Sequence, residues 1–364
     1  MALGCPKATR RHWAASFSCL IHHAPVGPRK ITMSKPSRRQ ILRWGSLSLW
    51  GPAAAPRAFA QTLPDNARIF VGFPPGGAPD IVARRLAEQL RGKLATAVVV
   101  ENRPGAAGRI AVDAARLLPP DGLTLLLNPA GVLTVNPHTY RSINYKPFED
   151  FTPLSLACVI DFGFAVGMAV PESVKTIADF AAWAKVPANV GKLSYGSPAA
   201  GAPPHFAGDV LNRTLALNMT HVPYRGGQAA LTDVIGGQLT AVVLTLGDLV
   251  AQARSGKLRI LASTGAARSR FTPEVPTFAE QGVAGLDLRD WFGVYIAGKA
   301  PAEVVAKLAP MIAAVMGSAE VAQALAIAGL EARASTPQEL DRMGRADFER
   351  WGPIVKASGF LADS

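Results

Sequence analysis

A chain of 364 residues, 49% hydrophobic and 18% charged, can bury a core large enough for two lobes. Its formal charge of +12 would suit a nucleic-acid partner, but ten of its 38 basic residues fall in positions 1–60, which hold no Asp or Glu, leaving 28 against 26 acids beyond. That balanced remainder has no block of like charge and no basic stripe interleaved with aromatics, which excludes nucleic acid.

Residues 1–60 read as a leader. Ser37-Arg38-Arg39-Gln40-Ile41-Leu42 is a twin-arginine pattern, a weakly apolar run follows over 44–55, and Ala58-Phe59-Ala60 is a small-residue cleavage box. The run is too short to span a bilayer as a helix. Export to the periplasm is expected, with cleavage after about Ala60 and no lipid anchor, because no Cys follows the box. Met33 stands where a signal of ordinary length begins, which makes 1–32 a candidate over-called start. Cys5 and Cys19 belong to the leader, so Cys158 is left alone and forms no internal disulfide. Its apolar surroundings predict a small buried residue without a function.

Beyond the leader, a strand is predicted over 68–73, then a helix over 80–94 with Ile81, Val82, Leu86, Leu90 and Leu94 on one stripe. A strand over 97–100, a helix over 110–118 and a strand over 123–127 continue the series. Next come a strand over 159–166, a helix over 177–184, a strand over 193–195, a helix over 205–213 and a strand over 219–222. A helix over 228–235, a strand over 239–244, a helix over 249–255 and a strand over 258–263 follow. Helical patterns over 303–315, 319–328 and 337–356 end the chain. This alternation predicts an α/β fold with largely parallel sheets. Two extended stretches, 159–170 and 285–297, read as crossings between lobes. Lobe 1 is then expected from 61–163 plus 291–364, and lobe 2 from 164–290.

Three loops lie between a strand end and a helix start. Phe73-Pro74-Pro75-Gly76-Gly77-Ala78-Pro79-Asp80 offers two glycines for close backbone approach and a helix start with unpaired amides. A carboxylate there would gain charge-assisted hydrogen bonds of about 1.5–3 kcal/mol each. The bland alternative is an ordinary turn with Asp80 as a first-turn acid. Gly196-Ser197-Pro198-Ala199-Ala200-Gly201-Ala202-Pro203-Pro204-His205 has the same form and could face the first across a cleft. In His221-Val222-Pro223-Tyr224-Arg225-Gly226-Gly227, Tyr224 could pack on a ligand and the glycine amides could donate.

Other chemistries find little support. A serine hydrolase would use Ser197 with His205 or His221 as base, but Tyr195 stands where the nucleophile elbow needs Gly. The first loop is neither G-x-G-x-x-G nor a Walker loop, so no nucleotide is expected. His138, His205 and His221 lack metal-ligand spacing, so neither a metal nor a cofactor is expected.

Several further segments stand in order with these loops: Val98-Val99-Val100-Glu101-Asn102-Arg103-Pro104-Gly105, Pro120-Asp121-Gly122-Leu123-Thr124-Leu125-Leu126 and Lys192-Leu193-Ser194-Tyr195-Gly196-Ser197. Gly256-Lys257-Leu258-Arg259-Ile260-Leu261-Ala262 and Val275-Pro276-Thr277-Phe278-Ala279-Glu280-Gln281-Gly282 complete the set. From Asn66 onward the chain resembles the substrate-binding proteins of tripartite tricarboxylate transporters, the Bug family.

The resemblance implies a periplasmic binding protein of type II form, with two α/β lobes that close by a hinge on a ligand held in the cleft between them. It implies a monomeric receptor, not an enzyme, that hands a small carboxylate to membrane permease subunits. Carried over, Phe73, Gly77, Ala78, Pro79 and Asp80 line one side, with Asn128 and Ala130 at the end of a neighbouring strand. Ser197, Gly201, His205, Pro223 and Tyr224 line the other. A receptor serving a sensor kinase would share this fold and pocket. The chain departs from the family pattern at Ala107 (first of a glycine pair in many members), at Thr240 (usually an acid) and in the apolar residues between Ser197 and His205. A less polar second wall favours an aromatic or apolar acid over citrate.

Overall fold

A computed structural model describes residues 63–362. The twin-arginine pattern, the cleavage box and the alternative start lie outside the described residues. The first sheet is founded on β1 (Asn66–Val71), β2 (Ala97–Asn102) and β3 (Thr124–Pro129), which run parallel. α1 (Ala78–Leu90) and α2 (Arg109–Arg116) make the crossovers between them. α1 buries Val82, Leu86 and Leu90 against the sheet, as its apolar stripe requires. It stops short of the predicted end at 94 because Arg91 is extended and Gly92 turns with φ 72°.

After β3 come two single-turn helices, α3 (Gly131–Thr134) and α4 (Asn136–Thr139), then the long β4 (Phe151–Ile160). The strand predicted over 159–166 is in fact two. β4 ends at Ile160, and β5 (Phe162–Val166) begins the second sheet across the single residue Asp161. Phe162 and Gly163, assigned to the first lobe by the sequence reading, pair with Thr245 and Leu244 in the second sheet. The early part of β4 escaped sequence reading because Pro153 looks like a breaker. It sits beside a register shift in the pairing with Tyr295, where a missing donor is tolerated.

The second lobe runs through α5 (Ile177–Ala184), β6 (Ser194–Ser197), α6 (Pro203–Leu215), β7 (Thr220–Pro223) and α7 (Gly227–Ile235). It continues with β8 (Ala241–Thr245), α8 (Leu246–Arg254) and β9 (Arg259–Ser263). The chain returns as β10 (Asp290–Ala297), buried along its whole length between β3 and β4. α9 (Ala302–Met316), α10 (Ala319–Ile327), β11 (Glu331–Ala332) and α11 (Pro337–Ser358) finish the fold. The strand orders are β11-β4-β10-β3-β1-β2 and β7-β6-β8-β5-β9.

The sheets are mixed, not largely parallel. β6, β7 and β8 are parallel neighbours like β1–β3, whereas the crossing strands β4, β5 and β10 enter antiparallel. A strand that leaves one sheet to start another has no crossover helix to reverse it. Cys158 is wholly buried in β4, where burial pushes its thiol up and leaves it inert, as the apolar run suggested.

Where the chain crosses between sheets it is clasped twice. Arg289 Nε donates to Asp161 Oδ1 at 2.8 Å, joining the outgoing and returning segments. The Thr264 hydroxyl accepts from the Phe162 amide and donates to Leu288 O, both at 2.9 Å.

α11 packs Leu340, Trp351 and Val355 inward, and Thr336 opens it with a capping box to Glu339. Thr336→Ala is expected to lower the unfolding free energy by about 1 kcal/mol in a urea titration, and Thr336→Asp to retain most of it. Equal losses in both variants would mean that the cap does not hold this helix.

Candidate ligand cleft

The loop after β1 is held from behind. The Gly72 amide donates to Asn128 Oδ1 at 3.0 Å, and a Cβ on Gly72 would lie 2.8 Å from Gly108 backbone, so only glycine fits. Asp80 accepts from the Gly76 amide at 2.9 Å, Arg84 Nε at 2.8 Å and Asn102 Nδ2 at 2.9 Å. Burial raises the Asp80 carboxyl, but those donors outweigh it and hold it below the ordinary carboxylate range. Asn102 also ties down the Phe73 carbonyl at 3.0 Å. The loop thereby turns Phe73, Gly77, Ala78 and Pro79 toward the cleft, while Asp80 and Asn128 stand behind it. Ala130 is buried too, its amide donating to Trp291 O at 2.7 Å, and its neighbours Pro129, Gly131 and Val132 form the surface.

The second wall is supported in the same way. Ser197 is fully buried; its Oγ lies 3.0 Å from Ala199 O and 2.8 Å from His221 Nε2. His221 stacks on His205 with ring centroids 3.8 Å apart, and His205 Nδ1 accepts from the Gly201 amide at 3.1 Å. Burial lowers His205 to about 4, and burial together with His205 lowers His221 to about 3, so both rings are neutral. A serine–histidine pair is thus present, but its hydroxyl is sealed from the cleft and braces the loop. Pro223 is exposed at the end of β7, and Tyr224 donates to Asp233 Oδ2 at 2.6 Å beside a neighbouring hollow. The cleft face of this lobe consists instead of Pro198, Ala202, Pro203, Pro204 and the turn Arg225–Gly226–Gly227–Gln228–Ala229.

Between the walls lies a cavity of ≈ 270 Å³. Its floor is Ile160, Phe162, Thr245, Asp248, Asp290 and Phe292, next to the crossing strands. Most of the lining is proline, phenylalanine and small aliphatic groups; the charged side chains are Arg225, Asp248 and Asp290. Burial pushes Asp248 up to about 7, opposed by the Ala78 amide and Gln228. Burial likewise raises Asp290 to about 7, opposed by the Trp291 amide, which donates at 2.8 Å. Among the described residues no group of three or more His, Cys, Asp or Glu is placed to hold a metal.

The helix starts differ in what they can donate. α6 begins Pro203-Pro204, which carry no N–H, and the His205 amide turns back to Ala202 O at 2.9 Å. α1 offers Ala78, since Pro79 has no donor, and Asp248 lines the cavity beside that start. α7 opens with Gly227, Gln228 and Ala229, residues that line the cavity beside Arg225 and whose first-turn amides have no intrahelical partner. The glycine pair marked this turn in the sequence. Asp248 and Asp290 gave no such signal, one lying just before a predicted helix and the other at the edge of an apolar run.

Because His205 and His221 bind protons less readily when folded, the unfolded chain takes up more protons between the ordinary value of 6.5 and about 4. Their contribution is complete above pH 6.5 and is lost as pH falls through that window, by up to about 1.4 kcal/mol per pH unit for each ring. In urea titrations from pH 7 to pH 4, the stability advantage of the native chain over His221→Asn is expected to shrink steadily. A constant difference would show that His221 keeps its ordinary affinity for protons.

Comparison with known proteins agrees with this architecture. A model of the tripartite tricarboxylate transporter family receptor matches residues 82–360. Protein BugT of Bordetella pertussis is 30% identical over 302 residues, covering 82% of this chain and 91% of that one. The structure of the periplasmic binding protein BugD superposes with a TM-score of 0.75 at 28% identity, covering 82% of this chain and 98% of the other. An R. palustris protein solved with adipate superposes with a TM-score of 0.77 at 29% identity over 82% of this chain and 98% of its own. With two α/β sheets, a cleft at the crossing strands and these relatives, the chain belongs to the tripartite tricarboxylate transporter receptor family of periplasmic solute-binding proteins, which are receptors and not enzymes.

Proposed function

We propose that this receptor captures a small carboxylate in the periplasm and presents its closed form to the membrane permease subunits of a tripartite transporter. The observation that carries the reading is the corner where Arg225 and the first-turn amides of α7 open on an apolar cavity between the lobes. An anion placed there gains charge-assisted hydrogen bonds of about 1.5–3 kcal/mol each and a helix-end contribution of about 0.3–1 kcal/mol. Phe73, Gly77, Ala78 and Pro79 would cover the ligand's body. Asp80, Asn128 and Ala130 hold that wall in place; Ser197, Gly201, His205, Pro223 and Tyr224 hold the facing one. The relative solved with adipate supports an acid as the guest.

Closure is read from the close approach of the two lobes. Tyr140 Oη donates to Ala200 O at 3.3 Å, and Gln228 Nε2 donates to Gly76 O at 3.4 Å. A Cβ on Gly131 would lie 2.6 Å from Pro203 Cδ, and one on Gly226 would lie 2.8 Å from Pro74 Cδ. A hinge at the crossing strands would separate these pairs in the open form.

In a thermal-shift panel of carboxylates, sugars and amines, an acid at 100 times its dissociation constant is expected to add about 2.7 kcal/mol of apparent stability. Arg225→Ala is expected to weaken that acid by tenfold or more while leaving the melting temperature of the free protein unchanged. A response to sugars or amines alone would end the carboxylate reading. Gly131→Ala tests closure separately. The open form tolerates the added methyl group and the closed form does not, so affinity should fall about tenfold with little change in the free protein. Unaltered affinity would mean that Gly131 and Pro203 need not meet.

A further inference from the structure

We infer that Asp248 is a specificity-determining residue: it fills, with the protein's own carboxylate, one of the two anion positions in the cleft, and so fits the receptor for acids with a single carboxylate and an apolar body. The inference rests on the carboxylate reading above and narrows it.

The α1 start is where the sequence expects a ligand carboxylate, yet Asp248, reaching over from α8 in the other lobe, lines the cavity together with Gly77 and Ala78 at that start. Gln228 Nε2 fixes the contact from a third side, lying 3.4 Å from both Asp248 Oδ1 and Gly76 O. Gly227 packs closely enough that a Cβ there would lie 3.3 Å from Asp248 Oδ2. The acid is therefore wedged between α1 and α7. The α6 start, with Pro203 and Pro204, has no first-turn amide to offer in its place. What remains for a ligand anion is the α7 start and Arg225.

A second carboxylate on the ligand would have to lie in the rest of the cavity. There it meets Asp248 and Asp290, and otherwise proline, phenylalanine and aliphatic groups. Like charges in a low-dielectric site repel strongly, and a carboxylate against apolar groups loses its hydration without compensation. Hence a dicarboxylate of the same length is rejected even though a relative was solved with adipate.

Hexanoate and adipate differ by one carboxylate at equal chain length, which makes them the probes. By calorimetry at pH 8.5, above the value of about 7 to which burial raises Asp248 and Asp290 so that both are ionised, the native chain is expected to bind hexanoate at least tenfold more tightly than adipate. Asp248→Asn removes the charge at constant shape, and Asp248→Ala vacates the place beside Ala78. Both should narrow that ratio at least tenfold, by strengthening adipate, with hexanoate changed less than threefold. The inference is overturned if the native chain prefers adipate, or if the ratio is unchanged in both variants while circular dichroism and melting show them folded. Failure of either variant to fold leaves the other, and the native ratio, to decide. If no carboxylate binds the native chain or the variants, the carboxylate reading falls and takes this inference with it.

Discussion

Everything in the cleft depends on the chain changing sheets at Asp161. β4 and β5 are nearly continuous, so one extended segment belongs to both lobes, and β10 returns alongside it. In open α/β sheets ligands settle beyond the carboxyl ends of the parallel strands, where the following helices start. Sharing one crossing segment turns those ends of both sheets toward the same seam. The Arg289–Asp161 pair and the Thr264 hydroxyl hold the outgoing and returning strands together without covering the cavity floor. The crossing segments and the cavity are therefore adjacent: Phe162 and Phe292 belong to both.

Within that frame, donors are unevenly distributed. Proline opens α6 twice and α1 once, which removes amides at helix starts that otherwise look equivalent. The proline rings also supply apolar wall, so one residue type both removes donors and adds hydrophobic surface. α7 lacks proline and starts with glycines, and Arg225 stands directly before them. The asymmetry leaves donors and the Arg225 cation at the α7 end of the cavity, and apolar surface from Phe73, Pro79 and the prolines of the opposite loop elsewhere.

The element order was legible in the sequence because both periodicities are strong there, as in the stripe Val82, Leu86, Leu90, the apolar β5 and the run from Trp291 to Ala297 in β10. Strand direction was not legible, because antiparallel entry of the crossing strands follows from the sheet switch and not from any residue pattern. Of the site, the first loop's role in lining the cleft could be read from its glycines and Pro79. Whether Asp80 and Ser197 face a ligand or brace a loop could not be, since a short polar side chain beside a turn serves either purpose. Beside local partners such as Gly76 and Arg84, the brace on Asp80 needs Asn102, 22 positions on, and that on Ser197 needs His221, 24 positions on. Such distant partners leave no local signal. Asp248 and Asp290 escaped for a similar reason: each becomes part of the cleft only when the second lobe folds over the first.

The braces and the floor titrate in opposite directions. His205 and His221 are stabilising when neutral, so acid weakens their contribution below pH 6.5. Asp248 and Asp290, raised from 3.8 to about 7, take up protons more readily when folded. Their contribution is complete below about pH 4 and is lost as pH rises through 7. The two pairs act in opposite directions between about pH 4 and 6.5, where each offsets part of the other. The offset is global, while the consequences are local. Protons on the histidines would disturb the stack behind the Ser197 loop, whereas protons on the aspartates remove charge from the cavity floor and weaken the contacts from Gln228 and the Trp291 amide. The fold can therefore tolerate ionisable groups on the cavity floor, provided that the imidazoles supporting the wall stay neutral.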